Sequence, residues 1–387
     1  MTLNKVIIAP DSFKGALSAR EATDIIADEV GRAFPDCEIV KMPIADGGEG
    51  SVDAILSAIG GDVYEAEVQS PDNRKITATF GIAGNGTAII EMAQSSGITR
   101  QLGLNPMTSN TYGFGQLILA ALDKGARRFN LCIGGSATTD GGCGMAAALG
   151  VRFENNSNIG TDGPDPNIRN NSCSSRFIPC GETLCDIVSI DTGNMDVRIA
   201  ASDFTVMCDV DNPLFGKNGA AYIYGPQKGA DAEQIIILDN GLRHYGSVLE
   251  RMSGRCFSDI PGAGAAGGLG AGCMAFLRAK LRSGIDAILK LYDFKNQCAD
   301  VDLVITGEGK LDSQSFQGKV LSGILREAGN VPVWSVCGAC DCDPDVLQEN
   351  GITVFEASAG ISIDESMKEP EKYLRSAVNK AMQTLTG

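Results

Sequence analysis

The carboxylates Asp46, Glu49, Asp209, Asp211, Glu308 and Asp312 each stand at or just after the end of a short apolar run. Phosphoryl transfer calls for such an inventory: oxygen ligands for Mg²⁺, cations against the moving phosphoryl group, and often a carboxylate that accepts the hydroxyl proton. Helix capping is the alternative role for any single one of them. Lys14 and Lys319 supply cations within the same kind of turn. In PDSFKG, Ser12 and Lys14 follow the first apolar run and precede a helix start, where backbone amides and the helix dipole favour an anion. A solvated turn lysine is the plainer alternative.

Two glycine-rich stretches, IGGSATTDGG at 133–142 and PGAGAAGGLGAG at 261–272, allow close backbone approach and can turn consecutive amides toward phosphate oxygens. The residues that would do so are Gly134, Gly135 and Ser136 in the first, and Gly264, Gly267 and Gly268 in the second. Close helix packing is the competing explanation for both. The second stretch contains GxGxxG at Gly262, Gly264 and Gly267, but CFSDIP before it is no strand, so the dinucleotide fingerprint lacks its context. A GxxxxGK[ST] phosphate loop is absent from the sequence.

Composition removes several function classes. A net charge of −16 argues against nucleic acid as a partner, because phosphate-backbone binding requires clustered Lys and Arg. No apolar run reaches the roughly 18–20 residues a membrane helix needs, and MTLNKVIIAPDS is too short in its apolar part for a secretory signal. A cytoplasmic location without membrane contact is therefore expected. The 13 cysteines then read as reduced thiols, mostly small core residues. Cys337 and Cys340 form a CxxC with no second CxxC to complete a zinc set. The single histidine, His244, lies in an amphipathic helical stretch and is assigned to the surface or a boundary, so catalysis falls to carboxylates and lysines.

The elements that must position these groups follow a repeated pattern. KVIIA, then a turn, then a helix whose Ser18 and Glu21 form a capping box, with Ala22, Ile25, Ile26, Val30 and Ala33 on one face, ends at Pro35. A second strand, Glu38 to Met42, leads through PIADGGEG into another helix. VDLVIT, VPVWSV and ITVFEA repeat that rhythm near the C-terminus. Between them lie VYEAEV, KITATF and TAIIEM, with Asn85-Gly86 as a hairpin turn, then FNLCI and FTVMC, and a polar excursion at 154–185. The expected fold class is α/β: a flavodoxin-like, doubly wound parallel sheet formed by both chain ends, 1–63 and 260–387, with an inserted mixed α/β domain at 64–259. Strand order 2-1-3-4-5 would make APDSFKG and ITGEGKLD neighbours at the switch point, with a cleft against the inserted domain as the default site.

With these motifs assembled, the sequence resembles the type I glycerate kinase family of bacteria. The resemblance rests on APDSFKG, MPIADGGEG, TYGFG, IGGSATTDGG, DIVSID, CDVDNPLFGKNGA, YGPQKGA, PGAGAAGGLGAG and ITGEGKLDSQSFQGK, in that order, to about residue 320. It implies ATP-dependent phosphorylation of D-glycerate, most often at the 2-hydroxyl, with Mg²⁺; 3-phosphoglycerate is the other product. It further implies Ser12, Asp46 and Lys319 near the substrate, Lys14 or Lys319 against the transferring charge, Asp209 or Asp312 as base, and Asp211 or Glu308 on the metal. A homo-oligomer is left open. Three features depart from the family's pattern: Thr139 in place of the more usual Asn, the unusually polar, Cys-containing stretch 154–180, and CGACDCD at 337–343 in place of a blander loop. The alternatives are a nicotinamide-dependent oxidoreductase and a non-catalytic small-anion-binding protein.

Overall fold

A computed structural model describes residues 3–13, 15–44, 47–48, 50–155, 177–316 and 320–386. Its strands, in chain order, are β1 (Lys5–Ile8), β2 (Glu38–Lys41), β3 (Gly61–Gln69), β4 (Lys75–Ala83), β5 (Thr87–Glu91), β6 (Arg128–Cys132), β7 (Arg152–Asn155), β8 (Ile187–Asp191), β9 (Asp203–Met207), β10 (Lys280–Arg282), β11 (Leu303–Thr306), β12 (Lys310–Leu311), β13 (Val333–Cys337), β14 (Ala339–Cys340) and β15 (Ile352–Glu356). The chain divides into two compact units, one of Met1–Asp46, Gly50–Gly61 and Ser283–Gly387, the other of Gly47–Glu49 and Asp62–Arg282.

The first unit is built on a five-stranded parallel sheet ordered β15-β13-β11-β1-β2, so the first strand lies beside one some 300 residues later. Its inner apolar strands are buried on both faces, as a parallel sheet covered by helices requires. Val6, Ile8, Leu303 and Ile305 pack on Ala22, Ile25, Ile26 and Val30 of the helix Ala19–Ala33 and on Leu374, Val378 and Ala381 of the helix Pro370–Thr386. The capping box forms as expected: Glu21 N–H donates to Ser18 Oγ at 3.2 Å while Ser18 N–H donates to Glu21 Oε2 at 2.8 Å.

The second unit has a six-stranded mixed sheet ordered β10-β9-β6-β5-β4-β3. Strands β5, β6, β9 and β10 run parallel, and β4 joins antiparallel through the Asn85-Gly86 turn. There Gly86 takes φ +79°, a left-handed value suited to glycine, and Thr87 N–H donates to Asn85 Oδ1 at 3.0 Å. Phe129 and Phe204 stack at 4.6 Å in a core shared with Phe114, Leu117, Ile118 and Leu269.

Some local expectations give way. The stretch 260–282 folds with the second unit instead of the C-terminal strands, because Lys280–Arg282 pairs with β9 and the preceding helix Ala265–Leu277 packs into that unit's core. DIVSID forms β8 and pairs antiparallel with β7, so both ends of the polar excursion are ordered. Its middle lies outside the described residues. The acidic turn after β11 carries a short strand of its own, β12, which pairs with β14 inside the cysteine-rich segment, and a 3-10 turn, Ser313–Phe316, precedes the helix Val320–Ala328.

Candidate functional site

In the first unit the polar turns gather at the carboxyl ends of β1 and β11. Register Ile8↔Ile305 carries both strands to that edge together. Beyond it Ala9 N–H donates to Ile305 O and Asp11 N–H to Gly307 O, each at 2.8 Å, and Thr306 Oγ1 donates to Ala9 O at 2.9 Å. APDS and TGEG are thus stitched together although they are almost 300 residues apart. Ser12 is half-buried, its N–H donated to Asp11 Oδ1 at 2.6 Å. Glu308 and Asp312 are both half-buried and meet on Ser315: its Oγ donates to Glu308 Oε2 at 3.0 Å and accepts from Asp312 N–H at 3.2 Å. Gly307 packs where a Cβ would lie 2.3 Å from Val336 O, which holds the turn against β13. Lys14, Asp46 and Lys319, expected at this edge, lie outside the described residues.

The second unit assembles a separate set at the carboxyl ends of β5, β6 and β9. Glu91 pairs with Cys132, and Cys132 with Met207, so the segments that follow start side by side. After β6 comes the glycine loop. Gly134 and Gly135 are exposed, Ser136 is buried, and Gly135 takes φ +73°. Ile98 N–H donates to Gly135 O at 3.1 Å and Ala137 N–H to Ser96 O at 3.0 Å, so the loop is held from the segment after β5. After β9, Asp209 and Asp211 are both exposed. Oxygen ligands of this kind suit Mg²⁺, which takes one or two carboxylates and completes its octahedron with phosphate oxygens and water.

The floor of the loop is polar and buried. Asp140 accepts from Thr111 N–H and Oγ1 at 2.8 and 2.7 Å, from Gly144 N–H at 3.0 Å and from Gly142 N–H at 3.1 Å. Burial raises its pKa and those donors oppose the rise. Lys228, also buried, donates from Nζ to Thr138 O at 2.6 Å. Its desolvation lowers its pKa to about 7, against the opposing pull of Asp140.

The second glycine stretch has a different character. Gly264, Gly267 and Gly268 are buried, and a Cβ on each would meet Pro213 O at 2.2 Å, Thr138 O at 2.0 Å and Leu214 Cδ1 at 2.9 Å. Their lack of a side chain answers to close packing, the competing explanation for that loop. His244 sits at a boundary, its Nε2 2.7 Å from Ile187 O. Of the CxxC pair, Cys337 is buried and its thiol is pushed up by desolvation, the opposite of the lowered pKa of a redox thiol. Among the described residues no cluster of three or more His, Cys, Asp or Glu is arranged to hold a metal.

Two groups escaped the sequence. Glu91 is a nearly fully buried carboxylate at the end of β5, linked through Gln94 Nε2 at 3.4 Å to Gln94, whose Oε1 accepts from Arg100 Nη2 at 2.5 Å. The terminal Glu of the otherwise apolar TAIIE was the available signal. Lys228 sits in YGPQKGA, and a burial of 99% could not be read from a motif so rich in polar and turn residues.

The architecture is that of an α/β protein whose polar loops lie at the carboxyl ends of parallel strands, where open α/β sheets bind ligands; no helix among the described residues is long and apolar enough to cross a membrane. The glycerate kinase family profile matches residues 6–386, and the chain belongs to that family. It is 41% identical to a glycerate kinase of Bacillus subtilis (strain 168), covering 96% of this chain and 94% of the relative. It is 42% identical to the glycerate 2-kinase of Escherichia coli (strain K12), covering 94% and 93%. A crystal structure described as "putative glycerate kinase 2 from Salmonella typhimurium LT2" superposes with a TM-score of 0.84 at 35% identity, covering 100% of this chain and 99% of that one. The chain is accordingly an enzyme, a kinase.

Proposed function

We propose that this enzyme transfers the γ-phosphoryl group of ATP to the 2-hydroxyl of D-glycerate, giving 2-phosphoglycerate, with Mg²⁺ as the metal. The observation that carries the reading is the register Cys132↔Met207, by which a glycine loop and two exposed carboxylates leave adjoining parallel strands. Gly134, Gly135 and Ser136 bind phosphate oxygens. Asp209 and Asp211 fit Mg²⁺ by donor type, and bound there it would neutralise charge on the β- and γ-phosphates.

In the first unit, the Ser12 hydroxyl contacts the glycerate carboxylate, with Asp46 and Lys319 as further substrate contacts and Lys14 or Lys319 against the transferring charge. Asp312 takes the hydroxyl proton, and Glu308 acts through Ser315 to fix the turn that carries it; Asp209 is the alternative base. The 2-hydroxyl assignment is favoured by the relative named glycerate 2-kinase.

Steady-state turnover of Asp312→Asn and Asp209→Asn with D-glycerate and Mg·ATP tests the roles. Loss of a general base costs about 10²–10⁴-fold in kcat. The base shows that loss with its KM for Mg·ATP little changed, whereas a lost metal ligand raises that KM and is partly restored by excess Mg²⁺. Wild-type kcat in both variants contradicts the assignment.

A further inference from the structure

A buried ammonium is costly unless its surroundings repay the lost hydration, and an apolar side chain of equal length is often no less stable in such a place. Lys228 is such a group, 1% exposed, in the short turn Pro226–Lys228. Its Nζ reaches across 90 residues of sequence to Thr138 O at 2.6 Å. Thr138 and Thr139 lie between the exposed Gly134–Gly135 and the anchored Asp140. Their hydroxyls are buried and make no hydrogen bond. Gly267 lies against the same Thr138 carbonyl, and its own carbonyl accepts from Gly141 N–H at 3.0 Å. Tyr245 Oη donates to Gly141 O at 3.0 Å. The loop is therefore clamped at 135, 137, 140 and 141 by backbone groups, neutral side chains and a carboxylate, while 138 is held by a cation.

We propose that Lys228 is a positioning residue for the phosphate loop: its ammonium, bonded to the Thr138 carbonyl, fixes the 133–142 loop in the form that presents Gly134–Ser136 to the nucleotide phosphates. The proposal rests on the reading of that loop as the phosphate site. It gives the enzyme a nucleotide affinity that depends on a charge outside the site. Asp140 is the charged group acting on Lys228, while Cys143, Tyr245 and Cys180, which feel the Asp140 charge, are pushed up by burial so that all three stay neutral. With its pKa lowered to about 7, Lys228 loses its proton through neutral pH, and nucleotide affinity falls as pH rises.

The test is steady-state kinetics of the full chain from pH 6 to 9, with saturating D-glycerate and Mg·ATP varied, for the wild type, Lys228→Met, Lys228→Arg and Gly134→Val. Losing a charged hydrogen bond is worth about 10-fold or more in affinity. Lys228→Met should raise the KM for Mg·ATP by that factor at pH 6, leave the KM for D-glycerate within about 2-fold, and flatten the pH profile. Lys228→Arg should recover part of the affinity and lose the change near neutrality, since Arg stays charged. A folded Lys228→Met with wild-type KM and pH profile overturns the proposal, as does an equal rise in both KM values. Should Lys228→Met not fold, a wild-type KM for Mg·ATP that is flat from pH 6 to 9 overturns it alone. Gly134→Val separates the two readings. If it leaves the KM for Mg·ATP unchanged, the loop is not the phosphate site. If it raises that KM while Lys228→Met does not, only the role of Lys228 fails.

Discussion

At the scale of single residues, burial decides which groups matter in the second unit. Lys228 makes this measurable in stability. Its ordinary pKa of 10.5 is lowered to about 7 in the folded chain. Between those values the unfolded chain holds the proton and the folded chain has released it, so stability rises with pH across that window and is level with respect to this group below it. Urea unfolding from pH 7 to 10 should show the rise in the wild type and lose most of it in Lys228→Met. Gly267 marks the same spot from the other side. A Cβ there would lie 2.0 Å from Thr138 O at φ +71°, so Gly267→Ala should lower stability by about 2 kcal/mol or more, seen as a drop in Tm. The burial of Lys228 was not legible from the sequence, since a contact across 90 residues leaves no local pattern, whereas Gly267 was marked by its glycine-rich stretch but not by its partner. Ser18 and Glu21 were legible, because a capping box is written in four consecutive residues. Ser18→Ala should cost about 1 kcal/mol by the same unfolding measurement.

At the scale of elements, the apolar runs carried most of the message. KVIIA, VDLVIT and VPVWSV are apolar because their strands are largely buried in the middle of the sheet, while ITVFEA forms a half-buried edge strand. Alternation with helices pointed to a parallel sheet, and the common doubly wound order 2-1-3-4-5 supplied the strand order. Short strands with charged ends escaped: LRAKLRSG hides Lys280–Arg282, whose pairing with β9 comes from tertiary context. Lys310–Leu311 hid in the acidic turn for the same reason. That pairing has a functional side. Gly338 N–H donates to Glu308 O at 3.0 Å and Ala339 N–H to Gly309 O at 3.1 Å, so β14 holds the turn carrying Glu308 and Asp312. A Cβ at Gly338 would lie 2.3 Å from Gly309 O. Gly338→Ala should therefore displace that turn, lowering kcat by about 10-fold or more while the KM for Mg·ATP stays near wild type. An unchanged kcat would remove β14 from the support of the site.

At the scale of the whole molecule, the two units bring different capacities to one chain. One gathers Ser12, Glu308 and Asp312 on a flavodoxin-like sheet, and the other carries a glycine loop beside Asp209 and Asp211 on a mixed sheet. The family match spans residues 6–386 and so covers both. The most direct measurement is phosphorus NMR of the product formed from D-glycerate and Mg·ATP. Coupling of the phosphorus to the single proton on C2 identifies 2-phosphoglycerate, the outcome expected here. Coupling to the two protons on C3 would contradict the 2-hydroxyl assignment, and a product that is neither phosphoglycerate would contradict glycerate as the substrate.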